Sequence, residues 1–513
     1  MTLRTRPLTW LSPAIFVVFC TACAVGPDYH APADEGDLAG VPSSWHARLP
    51  HGGTVSALAQ WWRQFDDPLL TELVETAEVR HPSIDAAVGA VREARAAVMS
   101  SRGGLLPNLG ARGAMTRSSG ASDTAGSDSP AYTLLNGSLD ASWELDLFGG
   151  ARRGLEASQA RLQAAQASWD EARVTLAAEV ADAYVQRRYC EHLLVLYQDT
   201  LDSRRETERL TSLKLNAGFV APADEAQARA GSYDSENQLI AQQGICQQNL
   251  NRLAQLSAMP SAELETKLAD TPDAGIAHGD DTQATAYRSA IPVPLQPAVP
   301  AVPAAILSQR PDVMADERAL AAASAEIGVA VASRLPSLSL SGMIGINRVV
   351  HGGDSTQSWS WGPSISLPLF EGGAGRARVE TARARYDRAL AQYHGQVLVA
   401  VQEVEDALTR VDASVRRANA ARESERNYSV LLESQENRYK LGETSLLDLE
   451  ESRRLTLASR ESLAAVQLEI SQSWIALYKA AGGGWNDPAH ASQTSTPPGN
   501  PPAASQSPAG AGA

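Results

Sequence analysis

The sequence predicts an α+β membrane protein in which amphipathic strands run straight into very long helices. Three observations carry this. First, Leu135–Leu147 alternates strictly: Leu135, Gly137, Leu139, Ala141, Trp143, Leu145 and Leu147 interleave with Asn136, Ser138, Asp140, Ser142, Glu144 and Asp146. That is a strand with one greasy face and one wet face. Second, Phe148-Gly149-Gly150 ends the strand at an Ala/Gln/Arg-rich helical pattern, and the same junction returns at Ile365–Arg378. Third, Leu155, Leu162, Trp169 and Leu176 recur every seven residues after the first junction, the period of a coiled-coil seam.

The N-terminus sets the compartment. Arg4 and Arg6 precede a short apolar run, Leu8–Phe19, so residues 1–22 read as a secretory signal. The run is too short to span a bilayer as a helix. Cys20-Thr21-Ala22-Cys23 resembles a bacterial lipobox, with Cys20 where lipoproteins usually carry Leu. Cys23 is then the lipidated first mature residue; the alternative is ordinary cleavage that leaves Cys23 a free thiol. No other stretch is long and apolar enough to span, so any membrane span must be built of strands. The formal net charge of −15 argues against nucleic acid as a partner.

Taken in order, residues 23–66 form a lipidated, extended N-terminal segment. The first repeat covers 67–259. Asp67-Pro68 is an N-cap followed by Pro at N1, starting a helix to about Arg80. Pro82 interrupts it, and a second helix reaches about Arg102. A β-hairpin spans about 107–148, with a Ser/Gly/Asp-rich loop at 118–131. A long helical hairpin spans about 151–259; its first arm, about 65 residues, makes a rod of roughly 100 Å. The arm turns at Gly218, and Pro222 and Asp224 restart the helix.

Residues 260–304 are a Pro-rich linker and equatorial region. The second repeat, 305–482, mirrors the first. Pro311 answers Pro82 and Pro336 answers Pro107, both at an offset of 229; Phe370 answers Phe148 at 222; Gly442 answers Gly218 at 224. Its hairpin spans about 336–370 and its helical hairpin about 372–482. The seam there is Tyr386, Leu390, Tyr393, Val397, Ala400, Val404, Ala407 and Val411. The last segment, 483–513, is Pro/Ser/Gly/Ala-rich and predicts a disordered tail.

Two repeats give four strands, too few to close a barrel, whereas lipid tolerates strands only in closed barrels. Either the sheet is shared between chains or it lies outside a membrane. Asp140, Glu144 and Asp146 suit a water-filled lumen, or a wet belt below the membrane. Cys190 and Cys246 each lie 28 residues from Gly218 (218−190 and 246−218). In an antiparallel hairpin they share one height, as a disulfide in an oxidising compartment or as two buried thiols.

At this point the chain resembles the outer membrane factor family, the TolC-like exit ducts of tripartite efflux pumps, in its NodT-type lipoprotein branch. The resemblance rests on Cys23-Ala-Val-Gly-Pro-Asp-Tyr29, on Trp62 with Phe65-Asp66-Asp67-Pro68, and on Leu-Pro at 106–107 and 335–336. Leu367-Pro-Leu-Phe370 before Gly-Gly and Tyr439-Lys-Leu-Gly442 complete it. It implies a homotrimer with a shared twelve-stranded outer-membrane β-barrel, four strands per protomer, continuing into a periplasmic α-helical barrel with an equatorial domain. It also implies partners: a periplasmic adaptor, an inner-membrane transporter of RND type and outer-membrane lipid. By the same resemblance Leu447, Glu451 and Arg454 occupy constriction positions at a periplasmic gate. The same architecture serves type I protein secretion; a lipid-anchored coiled-coil scaffold without a pore is the other alternative. No cofactor is expected, and no enzyme: the chain has no HExxH, no GxSxG, no P-loop and no metal-spaced Cys cluster.

Overall fold

The computed structural model describes residues 24–32, 52–53, 60–118, 131–270, 291–294, 299–300, 307, 309–350 and 354–483. The expectations for the signal 1–22, for Cys23 and for the tail beyond residue 483 lie outside the described residues. The chain divides into two compact units, residues 1–41, 82–172 and 311–400 in one, and 42–81, 173–310 and 401–513 in the other. Each unit therefore draws on both halves of the sequence.

The first unit holds the sheet. Strands β1 (Asn108–Ser118), β2 (Tyr132–Leu145), β3 (Ser337–Val350) and β4 (Ser355–Ser366) lie side by side in chain order, antiparallel throughout. The register sets Leu139 opposite Ala111 on one side and Ile344 on the other, with Trp359 beyond Ile344. Because directly opposed residues share a face, the alternation of each strand adds to that of its neighbours. Helix α2 (Pro82–Gly103) leads into β1 and α6 (Pro311–Ala332) leads into β3; both have 22 residues, and both start on proline. They are the same element repeated at an offset of 229, yet their environments differ. α6 buries Leu320, Ala321, Ala322, Ala323, Ala325 and Ile327, whereas α2 buries only Ile84 and Val98.

The second unit holds a short parallel pair, Gly52–Gly53 with Val299–Pro300, and then a 3₁₀ turn, Trp61–Phe65, in which Trp61 stacks on Tyr478 at 5.0 Å between ring centroids. Helix α1 (Pro68–Arg80) follows. The Asp67 carboxylate caps it, accepting from the Leu69 and Leu70 amides at 2.9 and 3.0 Å, and also takes the Tyr184 hydroxyl at 2.6 Å. Both helical hairpins turn in this unit. α3 (Gly150–Asn216) returns as α4 (Pro222–Ser257), and α7 (Ala374–Leu441) returns as α8 (Leu446–Ala480). The turns use Gly218 at φ 79° and Gly442 at φ 78°, the left-handed C′ conformation that costs a glycine nothing. Ser445 and Asp448 form a reciprocal capping box at the start of α8.

Two expectations need correction. The Pro-rich stretch is not wholly linker: Ser261–Asp270 is a helix, α5, and buries Leu264 and Leu268. Its prolines fall outside it, at Pro260 and Pro272, and the Leu264/Leu268 spacing gives one apolar stripe. The leucine seam of α3 is also incomplete within one chain. Leu155, Leu162 and Trp169 are half-buried and only Leu176 is buried, while Ala157, Ala160 and Ala167 are buried. The α7 seam is buried from Tyr393 to Val411, with Tyr386 and Leu390 half-buried. Along α8 the buried face changes character: Leu446 and Leu449 at the turn, then Ser452, Thr456 and Ser459, then Leu463, Val466, Ile470 and Trp474 farther on.

Candidate functional site

The sheet presents two uncovered faces of opposite chemistry. On one lie Leu109, Met115, Leu139, Ile344, Trp361 and Ile365, with Trp361 and Ile365 both 74% exposed. An apolar surface of that extent does not suit water. On the other lie Arg112, Asn136, Ser138, Asp140, Ser142, Asn347, Ser358 and Ser360. Strands of 11 to 14 residues are long enough to cross a hydrocarbon core when tilted. Among the described residues, the outer edges of β1 and β4 pair with nothing.

Asp140 and Glu144 stand on the polar face. Asp140 accepts from the Ser138 hydroxyl at 3.0 Å and lies opposite Met343; Glu144 lies opposite Ser339 and is exposed. Asp146 is a correction. It lies past the last residue of β2, and its carboxylate accepts from the Ala151 and Arg152 amides at 3.1 and 2.9 Å and from Arg152 Nε at 3.1 Å. The unpaired N–H groups and positive dipole end of α3 draw it out of the alternation. Its spacing continues the strand pattern, which is why the sequence alone misplaces it.

Sequence reasoning missed the seat of the N-terminal segment. Ala24–Tyr29 forms a strap across the β2–α3 junction. The Val25 amide donates to the Phe148 carbonyl at 3.0 Å. Gly26 touches the backbone of Gly328 on α6, so close that a Cβ on Gly26 would overlap it. Arg153, buried, donates to Asp28 at 2.5 Å, to Glu156 at 2.8 Å and to the Val25 carbonyl at 3.3 Å. The guanidinium holds the Asp28 carboxyl below the usual carboxylate range. Tyr29 packs on Ala160, Ala321 and Ala322 and donates to the Glu317 carboxylate at 2.7 Å; burial and that bond push its hydroxyl pKa up. The signal was a glycine at 26 and another at 328, legible only once the two are seen in contact.

At the far turn of α7 and α8, Leu447, Glu451 and Arg454 share one exposed helix face, as their spacing predicts. Glu451 and Arg454 form a bidentate pair at 2.9 and 2.7 Å, and the guanidinium lowers the Glu451 pKa. The neighbouring Arg453 turns inward instead. It donates to Thr207 at 2.7 Å and Glu450 at 2.9 Å, while Arg204 donates to the Gly231 carbonyl at 2.9 Å and pairs with Glu450. These contacts tie α3, α4 and α8 together. Higher on the hairpin, Cys190 and Cys246 form a disulfide between α3 and α4, with Cα atoms 5.5 Å apart.

Among the described residues no helix is long and apolar enough to cross a membrane, and no group of His, Cys, Asp or Glu is placed to hold a metal ion. The family model described as "Outer membrane efflux protein" matches residues 73–258 and 302–483. Nodulation protein T of Rhizobium leguminosarum bv. trifolii is 31% identical over 485 residues, covering 93% of this chain and 97% of that protein. The pyoverdine export outer membrane protein OpmQ of Pseudomonas aeruginosa is 28% identical over 474 residues, 90% and 94% of the two chains. The solved outer-membrane channel OprN superposes with a TM-score of 0.74 at 30% identity, covering 90% of this chain and 100% of that one. A four-stranded amphipathic sheet with open edges, carried on duplicated long helical hairpins, is one protomer of that channel fold. The chain belongs to the outer membrane efflux protein family and is the outer-membrane exit duct of a tripartite efflux system, extending from the outer membrane into the periplasm.

Proposed function

We propose that three copies join edge to edge into a closed barrel of twelve strands, apolar face to lipid and polar face to a water-filled lumen, through which cargo passes passively. The observation that carries this reading is the sheet: two uncovered faces of opposite character and two unpaired edges. Lipid leaves such edges no partner except another strand. In this assembly Asp140 and Glu144 recur three times each around the lumen and favour cations, Cys23 carries the lipid anchor, and the helical turns meet a periplasmic adaptor and an inner-membrane transporter of RND type. Small solutes and drugs are the cargo class. In mild detergent the purified protein should have the mass of three chains and should conduct in planar bilayers, with cation preference reduced in Asp140→Ala/Glu144→Ala. A monomeric mass sinks the assembly.

The gate sits at the α7–α8 turn. Three copies bring Glu451 groups near one another, each neutralised by its own Arg454. Glu451→Ala/Arg454→Ala should raise single-channel conductance severalfold and sensitise cells to large antibiotics. Unchanged conductance and sensitivity would reduce the pair to a solvated surface contact, the default for an exposed i,i+3 ion pair.

A further inference from the structure

The apolar face of the sheet breaks its own rule at one end. Among its described residues it carries two charges, Arg117 on β1 and Arg348 on β3. Arg117 stands opposite Thr133; Arg348 stands opposite Leu135, which in turn faces Met115. Both arginines are exposed, one and two residues from the ends of their strands. That is the end away from α2, α3, α6 and α7, which all join the sheet at its other end. Since the helices extend into the periplasm, the two arginines stand on the outer-leaflet side. The described residues of that face include no carboxylate to pair with either. The duplication does not account for the pair: at the offset of 229, Arg117 is matched by Ile346 and Arg348 by Ser119. Each repeat supplies its own arginine to the same corner.

Resting on the reading above that this face meets lipid, we infer that Arg117 and Arg348 bind the headgroup of the phosphorylated glycolipid of the outer leaflet, one guanidinium to each phosphate of its bisphosphorylated disaccharide. The two residues lie two strand spacings across and two residues along from each other, which sets their Cα atoms about 12 Å apart. That separation suits two phosphates carried on a disaccharide, not one phosphate shared between two side chains. Guanidinium is the side-chain cation that meets phosphate bidentately. The position is also tolerable without a ligand. An arginine on a lipid-facing strand is costly at the bilayer midplane and nearly free at the interface, where its stem lies along apolar surface and its head reaches polar ground.

The surface below the arginines suits acyl chains. One row toward the helices from Met115 and Leu135, Gly113 and Gly137 stand opposite each other. A Cβ on Gly113 would meet nothing nearer than 4.0 Å, and one on Gly137 would meet only the Ile346 side chain at 3.7 Å. The face is therefore hollow there, between the exposed side chains of Met115, Leu135 and Ile346. A chain descending from a headgroup held by both arginines finds apolar walls and room. A phospholipid with a single phosphate fits the same hollow but engages one guanidinium at a time, so the second phosphate is what the pair recognises.

The test is titration of the full-length protein, purified in mild detergent and stripped of lipid, with bisphosphoryl lipid A, monophosphoryl lipid A and phosphatidylglycerol, bound lipid being counted by native mass spectrometry. Wild-type protein should bind the bisphosphoryl form about tenfold tighter than the other two, the effect of one charge-assisted contact. Arg117→Gln/Arg348→Gln should bind all three alike, and the bisphosphoryl form at least about tenfold more weakly than wild type does. Arg112→Gln, on the polar face, should bind as wild type does. Equal affinity of wild type and the double variant for the bisphosphoryl form overturns the site. Equal affinity of wild type for the three lipids overturns it too, without recourse to any variant, and leaves the arginines an unspecific cationic collar. Both arginines belong to one chain, so the result stands whatever the assembly. A monomer that tells the lipids apart keeps the site and sinks the barrel; a trimer that does not keeps the barrel and sinks the site.

Discussion

Removing the α3–α4 disulfide should be the most damaging change that leaves the packing nearly intact. The bridge closes a loop of 56 residues, so in the chain-entropy model Cys190→Ala/Cys246→Ala loses about 4 kcal/mol. Both cysteines are buried, at 1% and 2% exposure, and truncation to alanine removes only a sulfur from each. The expected result is a melting transition several degrees lower for the double variant, and a wild-type protein that moves to the same place on reduction. The variant itself should ignore reductant. If wild-type protein melts identically with and without reductant and alkylates at two thiols, the cysteines are free in the native duct and act as small apolar residues.

Gly328→Val should eject the strap. A Cβ at Gly328 meets the Val25 carbonyl and Arg153 Cγ, each at 2.8 Å, and a backbone carbonyl cannot swing aside as a side chain does. Overpacking of this kind costs about 1–3 kcal/mol. Loss of the strap also strips Asp28 and the Val25 carbonyl from Arg153, leaving Glu156 as its ion-pair partner. Proteinase K should cut within residues 24–29 of the variant under conditions that spare the wild type, while α6 stays intact. Met99→Val, at the matching position on α2, should leave the strap protected. Equal cleavage of wild type and Gly328→Val would show that the seat contributes nothing. Acid should release the strap too. Asp28 titrates lower in the folded chain than in the unfolded one, so its contribution is whole above the usual carboxylate range. It falls away as pH drops through the depressed value.

Most of this architecture is legible in the sequence because its signals are periodic. Alternation marks the strands and sets their two faces; Pro82/Pro311 and Gly218/Gly442 mark the helix ends at nearly constant offsets. The seam of α7 reads correctly from Tyr393 to Val411 because its partners lie within the chain. The α3 seam reads less well: Leu155, Leu162 and Trp169 stay half-exposed, and the buried positions there include Ala157, Ala160 and Ala167. What the sequence hides is non-local. Asp146 looks like a strand residue until a helix N-terminus claims it. Arg453 and Arg454 are adjacent and alike in sequence, yet one is tied into a network across three helices and the other sits in solvent with Glu451. Leu264 and Leu268 disappear among prolines because a ten-residue helix carries too little pattern to stand out.

The banded face of α8 has a mechanical meaning. The first turn buries Leu446 and Leu449; beyond them the contacts are hydroxyls, Ser452, Thr456 and Ser459, which water can satisfy as soon as the helices part. Farther along they are Leu463, Val466, Ile470 and Trp474. The aliphatic three forfeit about 1.5–3 kcal/mol each when exposed, and the indole is larger still. Cohesion therefore dips between two apolar stretches of one helix. A pull at the tip must first free Leu446 and Leu449, then crosses the hydroxyl band cheaply, and then meets a stretch that holds, so α8 behaves like a drawer with a catch at the lip and a stop at the back.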